Sequence, residues 1–460
     1  MFSRIAVINR GEPAVRLIRA VRELNSEFGY GIKVVALHTE AERGALFVRL
    51  ADEGVRLRDK GDLGSPYLDH AELERAMKAG RVDACWVGWG FVAEDAGFAE
   101  LCDRIGVTFI GPPPDAMRKL GDKVQAKYLA EATGVPVAPW SKGPVEDMAS
   151  ALEHAKVIGY PMILKARSGG GGRGIRMVFD PSELEEAIER TQSEAQKAFN
   201  DPVIFMEKLV QGGRHIEVQV IADNYGNAWA PGVRDCSIQR RNQKLIEEST
   251  SPALTAQQDA DLRKGAIALV KEAGYRGAGT VEFLYQPEEK MFAFLEVNTR
   301  LQVEHPITEA STGLDLVKLQ IMVADGHRLE GDPPPNFGHA IEARLNAEDA
   351  DHGFAPAPGT VVLLQLPSGP GIRVDTGIAV GEVIPPDYDS MVAKIIAWGR
   401  DRAEAMARLR VALRETTVVV KGGTTTKSFL LELLDHPEVI NGTADTGWLD
   451  RAGLTDQPRV

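Results

Sequence analysis

Only three of the 460 residues are cysteine: Cys85, Cys102 and Cys236. Their odd number and wide spacing match no disulfide framework and no thiolate metal motif. Reduced thiols in a cytosolic (cytoplasmic) setting are expected. No run approaches the roughly 18–20 apolar residues of a membrane span. The N-terminal MFSRIAVINRG lacks the long apolar segment of a secretory signal and reads directly as a strand. Internal repeats and extended low-complexity segments are absent. Positive charge is in deficit too, the net charge being −13, which argues against general nucleic-acid binding. A locally basic site on an acidic protein can still take an anionic substrate.

What is present suits a globular protein with sizeable cores, since 44% of residues are apolar. The length suggests about three domains at about 150 residues each. Against that background EVNTRLQVEHP (296–306) stands out. It crowds two carboxylates, an amide, an arginine, a glutamine and a histidine into one short segment. Either it is a solvated edge or reactive groups have been gathered there.

Residues 1–121 alternate strand and helix. RIAVIN (4–9), IKVVALH (32–38), DACWVG (83–88) and VTFIG (107–111) read as strands of a parallel sheet packed by helices. Pro13 opens the first helix. Ala14, Leu17, Val21 and Leu24 share one face of it, and Arg16, Arg19 and Glu23 the other, facing solvent or a second subunit. A helical stretch (115–132) leads away. A small segment at about 136–205 follows, with strands YPMILKA (160–166) and IRMVF (175–179). Strands HIEVQVIAD (215–223), GTVEFLY (279–285) and KMFAFLEVN (290–298) belong to a larger mixed region. Loops rich in proline and glycine occupy 332–338 and 354–372, and an amphipathic helix 401–416.

The glycine run KARSGGGGRGIRM (165–177) lies between two strand patterns and so forms a hairpin tip. Consecutive glycines cost backbone entropy, but their amides can cradle phosphate where no Cβ intervenes. A P-loop or dinucleotide fingerprint would need a helix next. Here the chain returns as a strand, which fits a phosphate-covering hairpin with Lys165 as its cation; a merely flexible loop is the alternative. Further on, the turn QPEE folds Glu282 roughly opposite Glu296, and Asn298 shares a face with Glu296. Hard oxygens of this kind suit Mg²⁺. The alternative is a solvated strand face, but Phe292 and Phe294, expected on the same face, oppose it. In RLQVE, Arg300, Gln302 and Glu304 alternate with Leu301 and Val303. The polar trio offers an oxyanion partner and a base, or else a plain salt bridge. Basic residues in RDCSIQRRNQK (234–244), and Arg344, suggest a focused anion site.

At this point the chain resembles biotin carboxylase, the ATP-grasp subunit or domain of acyl-CoA and pyruvate carboxylases. The likeness runs from INRGEPAVRLIRA through GDKVQAK, GGGGRGI, RHIEVQV, RDCSIQRRNQK, GAGTVEF, EVNTRLQVEHP and EARLNAED to PPDYDSMVAKII. It implies an α/β and α+β fold: a Rossmann-like N-terminal (pre-ATP-grasp) domain at 1–121, a helical linker at 122–135, a mobile ATP-grasp lid at 136–205, an ATP-grasp core at 206–330 and a C-terminal biotin carboxylase domain at 331–460. The implied reaction uses MgATP (or Mn²⁺) to phosphorylate bicarbonate, and the resulting carboxyphosphate delivers its carboxyl to N1 of biotin on a carrier. By the same resemblance Lys123, Lys165, Gly171, Gly172 and His215 bind ATP. Glu207, Lys208 and Val210 meet adenine, Gln239 and Asn242 lie at the ribose, and Ile163, Ile175 and Leu284 flank the base. Glu282, Glu296 and Asn298 match the metal positions. Lys244, Arg300, Gln302, Val303 and Arg344 match the bicarbonate and carboxyphosphate site. Glu304 is the matching base, Arg300 steadies developing charge, and Arg344 faces the biotin enolate.

Three departures stand out. The biotin-site loop, commonly His-Pro-Gly-Tyr-Gly-Phe in bacterial relatives, is Trp86-Val87-Gly88-Trp89-Gly90-Phe91 here, closer to eukaryotic acetyl-CoA carboxylases. Trp89 either lines the biotin pocket or simply packs. Asn242 stands where some relatives have His, and Thr426-Lys427 where Thr-Asn is usual. Arg16, Arg19 and Glu23 match a dimer contact of bacterial relatives, which favours a homodimer or higher assembly. No Met-Lys-Met biotinylation motif and no carboxyltransferase-like segment occurs. The implied partners are therefore a biotin carboxyl carrier domain and a carboxyltransferase, on separate subunits or a longer chain, as in acyl-CoA carboxylase systems. Rival readings are another ATP-grasp ligase, of the carbamoyl-phosphate synthase or purine-pathway kind, or a regulatory subunit that binds ATP without turnover. The filled positions in RLQVE, with Lys244 and Arg344, weigh against both.

Overall fold

The computed structural model describes residues 1–59, 65–145, 147–169, 174–386 and 388–454. The first unit is a five-stranded parallel sheet in the order Glu53–Arg56, Lys33–His38, Arg4–Val7, Ala84–Trp86, Thr108–Phe109. The expected strands are all there. Glu53–Arg56 is an addition: an edge strand holding Glu, Gly and Arg offers no apolar run to read. The first helix is Gly11–Phe28, ended by Gly29 in the left-handed region. Its charged face is not uniform. Arg19 and Glu23 are exposed, but Arg16 is buried and bonded to Glu309 (2.9 Å) and Asp315 (2.7 Å). The expectation that Arg16 faces solvent or a second subunit is therefore corrected: carboxylates nearly three hundred residues away cover it.

The expected helix over 115–132 is two helices, Pro114–Gly121 and Lys123–Ala132. Asp122 divides them by accepting hydrogen bonds from the amides of Val124 and Gln125, as a capping aspartate does. Beyond lies a three-stranded antiparallel sheet, Ile175–Val178, Met162–Ala166, Ile204–Lys208, backed by helices Met148–Ile158 and Leu184–Phe199. The glycine run thus does join two paired strands. Residues 170–173, with Gly171 and Gly172, lie outside the described residues. The boundary expected at residue 205 falls inside strand Ile204–Lys208.

The floor of the molecule is one antiparallel sheet of eight strands. Its order is Met291–Asn298, Gly277–Gln286, Arg214–Ala222, Ala228–Arg240, Gln243–Ser249, His339–Asn346, Met391–Gly399, Ile372–Thr376. Strands from both sides of residue 330 pair directly, Gln243–Ser249 with His339–Asn346. Alternation divides the faces. Ile216, Val218 and Val220 enter a core with Leu262, Ala266 and Leu269 of helix Ala256–Glu272, while His215, Glu217 and Gln219 point the other way. Helix Arg402–Glu415 forms as expected and packs on the far end of the sheet. The glycine- and proline-rich stretch 354–372 is not all loop, since Gly359–Gln365 is a strand of a separate three-stranded sheet. No helix among the described residues is long and apolar enough to cross a membrane.

Candidate active site

Glu282 and Glu296 are direct cross-strand partners, as the QPEE turn predicts. Between them and the turn the register shifts: Glu282 pairs with Glu296, but Phe283 pairs with Phe294. Leu295 is the extra residue of a bulge. The bulge corrects one expectation. Phe294 lies on the opposite face from Glu296, stacked edge-on against Phe283 in the core. One inserted residue thus lets a core aromatic and a site carboxylate stand two apart and face opposite ways.

Around these carboxylates the structure gathers most of the expected residues. Lys123, first residue of its helix, bonds Glu296. His215 Nε2 is 3.2 Å from Glu282, and Gln302 donates to Glu282 over 3.0 Å. Arg300 spans three side-chain partners: Asn298 Oδ1 (3.1 Å), Gln302 Oε1 (2.9 Å) and Glu94 Oε2 (2.8 Å). RLQVE is not a strand. It turns into helix His305–Thr312, with Leu301 in the apolar core and Glu304 just ahead of the helix.

Glu304 is fully buried. Lys244 Nζ reaches Oε1 at 2.5 Å and Arg344 Nη2 reaches Oε2 at 2.9 Å. Burial alone would raise its pKa, but Lys244 and Arg344 outweigh burial and hold it well below the ordinary carboxylate range. Glu282 is held low in the same way, burial being opposed by Lys244 and His215. Burial works against the charged form of Lys244, yet Glu217, Glu282 and Glu304 keep it protonated well beyond its usual range. Exposure falls across the cluster: the Glu296 side chain is 37% exposed, Lys244 12% and Glu304 0%.

A second group faces it from the small sheet. Glu207 bonds Lys127 (2.5 Å) and Lys165. Burial would raise Glu207, but Lys127 and Lys165 bring it down to about 2. Ile163 pairs with Glu207, and Lys208 donates to the Tyr160 carbonyl over 3.0 Å. Val210 and Leu284 both adjoin Gly213, within 3.2–3.5 Å of where a Cβ would stand. Ile175 is 37% exposed on the outer strand. Gln239 pairs with Lys244 across the hairpin whose tip is Arg241 and Asn242, both at positive φ. Asparagine suits that turn, and Asn242 there is exposed.

Trp89 sits behind the polar trio. Its ring is 6.0 Å from that of His305 and 5.1 Å from Lys394 Nζ, and the same Nζ donates to the Val303 carbonyl over 2.9 Å. Asn9 anchors the loop by donating to the carbonyls of Val87 and Trp89. Trp86 is fully buried, its Nε1 donating to Gln320 over 3.1 Å. The two tryptophans therefore differ: one packs, the other borders the site.

Some expectations are not met. Of the basic residues in 234–244, Lys244 reaches Glu282 and Glu304, and Arg234 joins the cluster through Glu217. Arg234 is an internal strut bonded to Glu217, Gln219, Thr280 and Thr308. Arg240 lies over the Phe354 ring at 4.0 Å. Thr426 hydrogen-bonds the Asn346 amide and carbonyl, and Lys427 the Thr416 carbonyl, away from the site. Sequence reasoning missed Glu94, Lys127, Glu217, Glu247 and Lys394. Glu217 alone had a signal: it shares strand alternation with His215. The charge balance of Glu282, Glu296 and Asn298, three hard oxygens facing lysines and an arginine, suits a small divalent cation carrying an anionic substrate.

Comparison with known proteins follows the same outline. Residues 1–117 match the biotin carboxylase N-terminal domain, 122–331 the carbamoyl-phosphate synthase L chain ATP-binding domain, and 342–451 the biotin carboxylase C-terminal domain. Biotin carboxylase 1 of Bacillus subtilis is 46% identical over 452 residues, covering 98% of each chain. The biotin carboxylase domain dimer of Hydrogenobacter thermophilus 2-oxoglutarate carboxylase, solved with MgADP, ADP and bicarbonate, superposes with a TM-score of 0.92 at 40% identity over the whole of both chains. Rhizobium etli pyruvate carboxylase, solved with acetyl coenzyme A, also superposes with a TM-score of 0.92, at 37% identity over 100% of this chain and 41% of that longer one.

Proposed function

We infer what each residue does from the premise that the chain belongs to the biotin carboxylase family. It is an ATP-dependent ligase that carboxylates biotin with bicarbonate, and its cofactor is Mg²⁺. A biotin carrier and a carboxyltransferase complete the system.

The observation that carries the residue assignment is Glu304, buried and gripped by two cations beside the Glu282–Glu296 pair. In this state its proton affinity is low. Bicarbonate entering between Lys244, Arg300 and Arg344 competes for those cations. As they turn to the substrate oxygens, Glu304 loses its stabilising partners and its basicity rises where the bicarbonate proton sits. The base is thereby switched on by the substrate it serves. Glu282, Glu296 and Asn298 would hold the Mg²⁺, which supplies charge neutralisation for the transferred phosphoryl group. Lys123, Lys165 and His215 bind the nucleotide phosphates, with Gly171 and Gly172 covering them. Glu207, Lys208, Val210 and Leu284 meet the base, with Gln239 and Asn242 near the ribose. Arg344 and Trp89 face biotin. Carboxyphosphate is labile in water, so closure of the hairpin over the site also protects it. The lid is the three-stranded unit, and we place its boundary after Lys208.

A homodimer and a cytosolic setting belong to the same proposal. The exposed Arg19–Glu23 side of the first helix and the dimeric relative support the dimer; sedimentation of the native chain tests it. The reaction is tested by ADP release from MgATP with and without bicarbonate and free biotin. Dependence on both is expected. ADP release indifferent to bicarbonate would overturn the roles given to Lys244, Arg300 and Glu304.

A further inference from the structure

Behind Arg344 lies a carboxylate pair that the reaction does not touch. Glu247 and Glu342 are direct cross-strand partners on adjacent strands, both wholly buried. Cross-strand partners stand about 4.5–5.5 Å apart at Cβ, which brings their carboxyl groups within reach of each other. Glu247 Oε1 accepts from Arg344 Nε at 2.5 Å. Three carboxyl oxygens, Oε2 of Glu247 and both of Glu342, have no hydrogen-bond donor among the described residues. Apolar side chains cover Glu342 on one side, with Arg344 and Lys394 next along the same face. Ala340 shares its strand face, Ile396 is its partner on the other side, and Ile307 of helix His305–Thr312 packs against both.

Two facing carboxylates in such a place cannot both stay ionised cheaply, and oxygens without donors add the cost of desolvation. One proton removes both difficulties, because a carboxylic acid can donate to its neighbour. We propose that Glu342 carries a proton and donates it in a hydrogen bond to Glu247, and that this acid–carboxylate pair is the positioning device of Arg344. Glu247 grips Nε of the guanidinium, leaving Nη2 aimed at Glu304. Glu342 fixes the rotamer of Glu247 without adding a second negative charge. Neither residue touches substrate.

The charged groups around the pair agree. Arg344 and Lys244 lower Glu247, and Glu304 raises it, but burial is the largest influence and pushes it up to about 7. Burial also raises Glu342 well above the carboxylate range, with Lys394 and Arg344 opposing and Glu247 and Glu304 reinforcing. Cys236, the remaining titratable neighbour, is a thiol whose ionisation burial suppresses. The pair therefore keeps its proton at neutral pH and loses it on the alkaline side. There a second negative charge appears beside Arg344, and the site's pull on bicarbonate weakens.

This inference rests on the role given above to Arg344, and its test separates the two. Glu342→Gln and Glu342→Leu both fill the space, but only the amide donates to Glu247. Bicarbonate-dependent ADP release in Glu342→Leu should fall roughly tenfold, the order expected when a hydrogen bond to a charged group is lost. Glu342→Gln should restore it and remove the alkaline decline in kcat/KM for bicarbonate. In the infrared spectrum at neutral pH, a carboxylic-acid carbonyl band of the native protein should vanish in Glu342→Gln. Equal activity and equal pH profiles in Gln, Leu and native proteins would overturn the positioning role. An unchanged carbonyl band would overturn the shared proton, whether or not the enzyme uses bicarbonate.

Discussion

A buried carboxylate is informative because of the company it needs. Glu304 and Glu309 stand five residues apart, and each is held between two cations. The two cations that hold the oxygens of Glu304 are themselves partly open to the site, so its charge is available to chemistry there. Glu304→Gln should bind ATP as the native protein does and lose most of its turnover; a matching collapse in ATP affinity would sink its assignment as base. Glu309 instead ties Arg16 of the first helix to Arg373 of the sheet at 2.9 and 2.7 Å. Burial would raise it, but Arg16 and Arg373 hold it far below its ordinary 4.5. Its contribution is therefore complete above pH 4.5 and is lost as pH falls below it. Glu309→Gln should cost about 3 kcal/mol at neutral pH, the low end for breaking a buried pair. In urea titrations the native–variant difference should shrink in acid. A difference independent of pH would contradict the ion-pair account.

At the scale of elements, local chemistry was legible and distant partners were not. The QPEE turn fixed the opposition of Glu282 and Glu296, and the flanking strands fixed the hairpin around the glycine run. Asp122 as a cap could also have been read, since aspartate before a helical run is a start signal. The Leu295 bulge could not, because nothing in MFAFLEVN distinguishes an extra residue from a regular one. Nor could Arg16: helical periodicity places it beside Arg19, and only the fold supplies Glu309 and Asp315. The bulge makes a sharp prediction. Deleting Leu295 leaves Phe294 and Glu296 as neighbours, which strict alternation keeps on the opposite faces they now occupy. Magnesium-dependent ADP release should therefore survive the deletion. Loss of that activity in a folded deletion variant would show that the site needs the bend of the bulge as well as the facing of Glu296.

Across the whole molecule, the eight-stranded sheet decides what can move. Its strands come from both sides of residue 330, and the central pairing of Gln243–Ser249 with His339–Asn346 has no loop to act as a hinge. The three-stranded unit has its own small core and sits apart from that sheet. Native-state hydrogen exchange should therefore find one common opening free energy for amides of Arg214–Ala222 and Met391–Gly399. Amides of Met162–Ala166 should open at lower cost. Separate values for the two large-sheet strands would mean that the sheet is two cooperative units, not one.

Glu217, Lys244, Glu304, Arg344 and Glu247 form an unbroken row of alternating sign, each cation standing between two anions of the row, with Glu282 a third partner of Lys244. In such a row no member can change sign alone without leaving a like-charged neighbour buried beside it. The row is thus a constraint on descent as well as on geometry: substitutions there should arise in compensating pairs, and a lineage that loses one member should be found to have lost its neighbour.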